Sequence, residues 1–356
     1  MNMKNNGAPK RILYVSHVHA RWIKQRPHFL AESFQALGYD TSFAYSSFTK
    51  RGKLVRGQRL EVKLRALVLM PQSYRTRFYK LSLFLDWLAY IKIITIVKPE
   101  YVIVSHPRFI SIARRLSVRG IPVIYDCMDI NSAFDDSLSQ DSTAENELVK
   151  ISNLTICSSS KILESLKITA PSANLKLVRN ALSRDRYVSL DDIKPIENRL
   201  GYFGTISSWF DWEVVLDILN HFEQMEIHLW GPTDSKHEIH PRVIYHPQIE
   251  HSQVVREMLT CRILIMPFSV TPLIEGVDPV KLYEYVATGR PVVSSAYAEI
   301  RHFDSFIETY SSLDEVREVI PRVLSAPVLD ETNRRKFVDD NNWLRRGEEI
   351  SRFFKS

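Results

Sequence analysis

Two charged residues, Lys281 and Glu284, stand three positions apart near the start of a short predicted helix. Asp278 is predicted to cap that helix, Pro279 suits its first position, and Gly289 suits its end. Residues three apart share one helix face. A lysine in the first turn is unfavourable because that end carries positive partial charge, and a bound anion reverses the effect. The spacing therefore predicts a phosphate-bearing ligand, with Lys281 on the phosphates and Glu284 accepting hydrogen bonds from hydroxyl groups.

The alternative for Lys281 and Glu284 is an ordinary surface pair, which contributes a few tenths of a kcal/mol. The sequence around them favours the ligand. Residues 278–295 (DPVKLYEYVATGRPVVSS) resemble the donor-binding segment of GT-B-fold glycosyltransferases, in which a glutamate beside an E-x-x-A-x-G-x-P-V-V run binds the ribose of a nucleotide sugar. The matching residues are Glu284, Ala287, Gly289, Pro291, Val292 and Val293.

Composition limits the function classes. With 356 residues, 45% of them hydrophobic, the chain is long enough for two domains with separate cores. Neither G-x-G-x-x-G nor G-x-x-x-x-G-K-[ST] occurs, which argues against dinucleotide oxidoreductases and P-loop enzymes. The three cysteines lie in apolar surroundings without C-x-x-C spacing, and no signal peptide or spanning segment is evident. These features predict a cytoplasmic protein without a zinc site.

Strands and helices alternate along the chain, which predicts two doubly wound parallel sheets. The N-terminal domain is predicted at 1–186, a polar linker at 187–198 and the C-terminal domain at 199–335. The predicted fold class is α/β, and the resemblance implies GT-B: two Rossmann-like domains facing an interdomain cleft. It also implies that the last helix, 336–356, crosses back to pack on the N-terminal domain.

Polar residues follow the first predicted strand, which ends at Ser16. His17, Trp22, Gln25 and Arg26 fall between that strand and the next helix, where open α/β sheets bind ligands. A solvated loop is the alternative. The W-x-x-Q-R-P-H run resembles the N-terminal signature of bacterial transferases that build surface polysaccharides, so these four residues are predicted to bind the acceptor.

Asp126 and Asp129 end the strand in PVIYDCMD. An acceptor hydroxyl that attacks a sugar needs a proton acceptor within hydrogen-bond reach. The alternative is an aspartate that caps the next helix. Asp129 is the candidate base, although an enzyme that retains the anomeric configuration would not need one.

Small residues end two predicted strands of the second series. Gly204 and Thr205 follow one strand, and Gly231 follows the next. Such residues let phosphates or a base approach backbone N–H groups, although glycine is also a common turn residue. The resemblance implies that these are donor-site loops and that His246, in the HPQI segment, flanks the nucleobase.

Positive charge is concentrated between Lys50 and Lys80, where ten lysines and arginines face one acidic residue, Glu61. A helix is predicted over 74–97, with aromatic residues that could equally form a buried face. Basic residues among aromatics favour an anionic membrane surface; a solvated face is the main alternative. Nucleic acid is not expected, because no nucleic-acid motif accompanies the charge.

The chain departs from the resembled family in two places. Family 4 members carry a second glutamate where this chain has Gly276, and a basic pair where it has SSWFDW at 207–212. Lys281, helped by Arg26 or Arg290, is therefore expected to be the main charge on the diphosphate. No D-x-D motif appears, and His237 and His240 lack a third ligand, so neither a metal nor another cofactor is expected.

Together these features predict a hexosyltransferase that uses a nucleotide diphosphate sugar. The expected acceptor is a lipid-linked or other oligosaccharide in lipopolysaccharide, O-antigen or capsule synthesis, at the inner face of the plasma membrane. Lys281 and Asp129 are the predicted catalytic residues. The alternatives are a nucleotide-sugar epimerase and a catalytically silent GT-B subunit that binds a partner enzyme.

Overall fold

The structure, a computed structural model, describes residues 9–46, 60–70, 72–75, 77–128, 138–190, 192–233, 240–325 and 329–354. The chain divides into two compact units. One comprises Met1–Arg179 with Trp343–Ser356, and the other comprises Asn180–Asn342. Each unit is built around one parallel sheet.

The sheet of the first unit has seven parallel strands in the order β3-β2-β1-β4-β5-β6-β7. Its strands are β1 (Arg11–Ser16), β2 (Asp40–Ser46), β3 (Lys63–Leu67), β4 (Tyr101–Val104), β5 (Val123–Cys127), β6 (Leu154–Cys157) and β7 (Leu175–Leu177). The central strands are continuous apolar runs because a parallel sheet is covered on both faces. The strand order reverses between β1 and β4, and the carboxyl ends of the strands at such a point form a crevice.

Strand β3 was not predicted, because it lies in the basic stretch and most of its residues are exposed. The helices of this unit are α1 (Arg26–Ala36), α2 (Gln72–Arg75), α3 (Tyr79–Lys92), α4 (Ile110–Val118), α5 (Leu138–Ile151), α6 (Ser160–Thr169) and α13 (Trp343–Ser351). The single helix predicted over 74–97 is divided: α3 begins at Tyr79, and a π-helical turn, Ile93–Val97, follows it.

The second unit has six parallel strands in the order β10-β9-β8-β11-β12-β13, with the reversal between β8 and β11. Its strands are β8 (Ile196–Phe203), β9 (Glu226–Trp230), β10 (Val243–His246), β11 (Cys261–Met266), β12 (Val292–Ser295) and β13 (Glu308–Tyr310). Its helices are α7 (Trp212–His221), α8 (His251–Thr260), α9 (Pro272–Glu275), α10 (Val280–Thr288), α11 (Leu313–Ser325) and α12 (Glu331–Asp340). Strand β8 begins before the end of the segment predicted as a linker.

The C-terminal segment forms two helices, α12 and α13, rather than one. Helix α13 packs on α1 in the first unit, where the rings of Phe29 and Trp343 stack 5.2 Å apart. Gly347 permits this approach, since a Cβ there would lie 2.3 Å from Ser33 Oγ. The segment therefore returns to the unit in which the chain begins.

All three cysteines are buried, and no disulfide joins them. Within the described residues, no helix combines the length and the apolar character needed to cross a bilayer.

Candidate functional site

Helix α10 carries Lys281 and Glu284. Its buried side is fixed to the sheet: Tyr285 is fully buried, and its hydroxyl accepts a hydrogen bond of 2.8 Å from the Phe203 N–H of β8. The helix ends at Gly289, whose φ of 77° is left-handed, as predicted. Lys281 and Glu284 lie on the less buried side, one turn apart.

The predicted start of α10 is wrong in detail. Pro279 is the N-cap residue rather than the first helical residue, and no side chain caps the helix there. The buried Asp278 carboxylate turns elsewhere, and accepts hydrogen bonds from the Asn180 N–H at 2.6 Å and the Tyr283 hydroxyl at 3.1 Å. Asp278 therefore anchors the segment before α10 instead of capping the helix.

Lys281 lies across the end of strand β8. A Cβ built on Gly204 would come within 2.0 Å of Lys281 Cε and 2.7 Å of its Nζ. The ammonium lies 5.8 Å from the centre of the Tyr202 ring and 5.7 Å from that of Phe268. Among the described residues, no hydrogen bond or ion pair engages this ammonium. The structure thus holds an unpaired cation at the carboxyl end of the central strand.

Burial perturbs both charged groups of this pair. It lowers the pKa of Lys281, an effect that Glu284 partly opposes. It raises the pKa of Glu284, while Arg186 and Lys281 act in the opposite direction. The Glu284 carboxylate has no hydrogen-bond donor in the described part of the chain. A carboxylate in such a place is free to accept hydrogen bonds from two hydroxyl groups of a ligand.

Gly204, Thr205 and Gly231 lie together at the ends of β8 and β9, as predicted. The Gly204 N–H donates to the Trp230 carbonyl at 2.8 Å. A Cβ on Gly231 would lie 2.2 Å from the Gly204 carbonyl oxygen. The absence of a Cβ at both glycines thus lets the two backbones approach each other. At Gly204 it also leaves room for the Lys281 side chain. The Thr205 carbonyl accepts from the Tyr202 hydroxyl at 2.8 Å.

His246, at the end of β10, is the last ring of an aromatic stack. The Phe203 and Trp230 rings stack 4.4 Å apart, and the Trp230 and His246 rings 4.2 Å apart. His246 Nε2 lies 2.8 Å from His228 Nδ1, and His228 Nε2 lies 3.3 Å from the Glu226 carboxylate. Burial lowers the pKa of both histidines.

This arrangement assigns the protons of both rings. A carboxylate only accepts, so His228 Nε2 carries the proton that points to Glu226. His228 Nδ1 is then an acceptor, and His246 Nε2 must donate to it. His246 Nδ1 remains as an acceptor without a partner in the described residues. Sequence reasoning missed His228 and Glu226, although the alternation in EIHLW places both on one face of the strand.

The four residues predicted to bind the acceptor do not all line the same cavity. His17, Trp22 and Gln25 line one cavity of about 340 Å³, but Arg26 does not. The cavity is lined by His17, Val18, His19, Trp22, Gln25, Ser46 and Arg108. Burial, with smaller effects of neighbouring cationic groups, lowers the pKa of His17 to about 4. At neutral pH the cavity therefore presents an uncharged His17 beside a cationic Arg108.

Arg26 instead forms a buried ion pair with Asp126. Its Nε lies 2.9 Å from Asp126 Oδ1, and the Tyr14 hydroxyl donates to Oδ2 at 2.5 Å. Asp126 is completely buried, so the structure does not support it as a catalytic base. Asp129, the residue predicted for that role, lies outside the described residues.

Arg290 is hydrogen-bonded to backbone carbonyl groups. Its guanidinium donates to the Leu259 carbonyl at 3.1 and 2.7 Å, and to the Ile193 carbonyl. Neither Arg26 nor Arg290 is therefore the second charge expected beside Lys281.

One group in the described part of the chain has the composition of a metal site. Asp278, Glu299 and His302 each place a ligand atom within 4.8 Å of the others. Asp278 is already hydrogen-bonded to Asn180 and Tyr283, and His302 Nδ1 donates to the Glu299 carbonyl at 2.7 Å. The Asp278 and His302 side chains thus belong to a hydrogen-bonded network that also includes the Tyr283 hydroxyl and the Glu299 backbone carbonyl.

No family model matches the chain, and no curated protein matches it. Solved structures do. Sucrose-phosphate synthase from Thermosynechococcus elongatus is 13% identical, with a TM-score of 0.71 over 97% of this chain and 98% of that one. Anabaena HepE, solved with UDP and glucose, is 13% identical, with a TM-score of 0.69 over 98% and 100%. The lipopolysaccharide outer core galactosyltransferase WaaB is 14% identical, with a TM-score of 0.69 over 97% and 99%. The likeness confirms the predicted fold class, GT-B with two Rossmann-like parallel-sheet domains.

Proposed function

We propose that this protein is a glycosyltransferase that moves a hexose-type sugar from a nucleotide diphosphate sugar to a glycan acceptor. The observation that carries the proposal is the pair on α10. Lys281 and Glu284 are half-buried and have no hydrogen-bond partner among the described residues, at the carboxyl edge of a sheet where such folds bind ligands. Burying two charged groups without hydrogen bonds costs stability, which a charged, hydroxyl-rich ligand offsets.

The proposed donor lies with its diphosphate on Lys281 and its ribose hydroxyls on Glu284. When the glycosidic bond breaks, negative charge develops on the leaving diphosphate. Lys281, beside the positive end of α10, is already in position to stabilise that charge. An anion there also favours the protonated form of Lys281, which burial disfavours.

We place the nucleobase beside His246. Its free Nδ1 accepts a hydrogen bond, so it suits bases that carry a ring N–H, namely uracil, thymine and guanine. Cytosine and adenine present a ring acceptor at the corresponding position. That two of the structural neighbours were solved with UDP or a UDP sugar supports this choice.

The proposed acceptor binds in the cavity that His17, Trp22 and Gln25 line. Uncharged imidazoles and an amide suit sugar hydroxyls, because they both donate and accept hydrogen bonds. Arg108 adds one cationic group, which suits an acceptor with a phosphate. We propose a lipid-linked glycan of cell-surface polysaccharide synthesis, and Asp129 as the base if the reaction inverts the configuration.

The proposed location is the cytoplasmic face of an anionic membrane, where a lipid-linked acceptor would be found. The positive charge of residues 50–80 supports it, although residues 47–59 lie outside the described part.

A thermal-shift screen against nucleoside diphosphates and their sugars tests the function. We expect stabilisation by uridine, thymidine or guanosine diphosphate and their sugars, followed by transfer to a glycan acceptor. Interconversion of the free nucleotide sugar without transfer would identify an epimerase. Absence of any nucleotide binding would leave the silent-subunit alternative.

A further inference from the structure

Helix α3 of the first unit has its residue types reversed with respect to an ordinary surface helix. Its buried side carries Ser82, Asp86 and Ala89. Its outer side carries large apolar and aromatic residues, each between 41% and 62% exposed. They are Phe78, Tyr79, Leu81, Phe84, Trp87 and Leu88. We call these six residues the α3 outer face.

The inward orientation of α3 is held by the ion pair between Asp86 and Arg75 of α2, which opposes rotation of the outer face into the core. The Asp86 carboxylate accepts hydrogen bonds from Arg75 at 2.6 and 3.3 Å, and its side chain is 2% exposed. The Ser82 hydroxyl donates to the Tyr79 carbonyl at 2.8 Å. Rotation of the helix would expose Ser82 and Ala89 and would break the partly buried ion pair between Arg75 and Asp86, which is costly.

Exposed apolar residues on a soluble monomer are ordinarily scattered, so six large ones gathered at one helix indicate an interaction surface. Phe84 and Trp87 stack with ring centres 6.0 Å apart, so these two side chains form one contiguous apolar surface. Leu81, Phe84 and Leu88 follow one another at helical spacing and extend it along the axis.

The charges around the patch indicate its partner. Between residues 77 and 92 the chain has three cations, Arg77, Lys80 and Lys92, and one acid, Asp86, which is paired on the inner side. Arg77 lies 5.6 Å from the centre of the Phe78 ring. Aromatic residues with lysine and arginine at the margin match the boundary between the headgroups and acyl chains of an anionic bilayer.

We propose that the α3 outer face is a membrane-docking surface that inserts into an anionic lipid bilayer. Phe84, Trp87 and Leu88 enter the acyl boundary, while Arg77 and Lys80 contact headgroup phosphates. A second copy of the chain is a poorer partner, because a twofold contact would place the cations of the two copies against each other. This proposal rests on the membrane location given under the proposed function. It assigns most of the membrane-binding free energy to the apolar residues of α3 and less to the basic residues.

The test is sedimentation with phosphatidylcholine vesicles, with and without phosphatidylglycerol. We expect the wild type to bind the anionic vesicles, and Phe84→Gln/Trp87→Gln to lower the partition coefficient about tenfold to a hundredfold. Arg77→Gln/Lys80→Gln should lower it about fivefold per cation, and raised salt should abolish only that part. The matched control is Val118→Gln/Ile168→Gln, which removes two exposed apolar residues outside α3 and should bind like the wild type.

The proposal would be overturned if the wild type did not bind anionic vesicles, or if Phe84→Gln/Trp87→Gln bound them as strongly as the wild type. Complete loss of wild-type binding in raised salt would also overturn it. A wild-type dimer in light scattering that becomes monomeric in that variant would assign the face to a second copy instead. Nucleotide binding is measured on the same samples and should not change. Loss of vesicle binding is thereby distinguished from failure of the transferase proposal.

Discussion

The Lys281 side chain occupies the space that a Cβ would need at Gly204, with Lys281 Cε 2.0 Å from that position. A glycine at the end of one strand thus determines where a cation from a helix more than seventy residues later can lie. The same glycine contacts Gly231 through its carbonyl, so the lysine, β8 and β9 are packed as one group. The position of Lys281 is a property of this packing and not of α10 alone.

Gly204→Ala should therefore displace Lys281. Its φ of 151° is also strained for alanine, so we expect the free energy of unfolding to fall by about 1–3 kcal/mol. Affinity for a nucleoside diphosphate should fall to that of Lys281→Met, and the two substitutions should not be additive. Gly120→Ala is the control: its φ is 79° but no atom lies within 4 Å of the added Cβ, so only stability should fall. Additive losses in calorimetry would contradict the coupling.

Asp126→Asn tests whether that carboxylate is structural. It leaves Arg26 buried without a charged partner, so denaturant unfolding should show a loss of about 3–5 kcal/mol. Asp40→Asn removes a more exposed pair with Lys63 and should cost less than about 1 kcal/mol. If Asp126→Asn were as stable as the wild type but inactive in transfer, a catalytic role for Asp126 would be restored.

Glu284→Gln should stabilise the protein at neutral pH and weaken donor binding. Burial raises the Glu284 pKa above its ordinary 4.5, so the folded state holds the proton more tightly than the unfolded state. The free energy of unfolding therefore falls as the pH rises through the folded-state pKa. Gln removes this loss, and we expect the Tm to rise at pH 7 and to match the wild type below pH 4.5. A lower Tm at pH 7 would show that the carboxylate is stabilised by the protein.

His228→Phe tests the assignment of protons in the histidine pair. Without His228, His246 can place its proton on either nitrogen, and the preference for uridine over cytidine diphosphate should fall about tenfold. In the wild type, uridine diphosphate binding should be constant near neutral pH. It should weaken on acidification, as His246 Nδ1 takes a proton below the ordinary histidine pKa of 6.5. Equal binding of the two nucleotides by the wild type would contradict the role of His246.

Sequence reasoning recovered the elements that have a strong local signal. Strands such as β1 and β4 consist mainly of apolar residues, and helix α10 ends at a glycine, so both kinds of element are evident from residue order alone. It also located Lys281 and Glu284 on one face, because that depends only on helical spacing.

The failures concern contacts between distant residues. Arg26 pairs with Asp126, one hundred positions away, and Asp278 accepts a hydrogen bond from the similarly distant Asn180. Local sequence patterns do not predict such partners, and these contacts give both side chains structural roles that were not predicted. The orientation of α3 was also not predictable, because its spacing allowed the aromatic residues to form a buried face. The ion pair of Asp86 with Arg75 places the opposite side inward.

Calorimetric titration of uridine diphosphate into the wild type, Lys281→Met and Lys336→Met tests the central claim most directly. Lys336 is an exposed lysine of α12 and serves as the matched control. We predict that the wild type and Lys336→Met bind alike, and that Lys281→Met binds about tenfold to a hundredfold more weakly. Wild-type affinity in Lys281→Met, or no binding of uridine, thymidine or guanosine diphosphate by the wild type, would contradict the account.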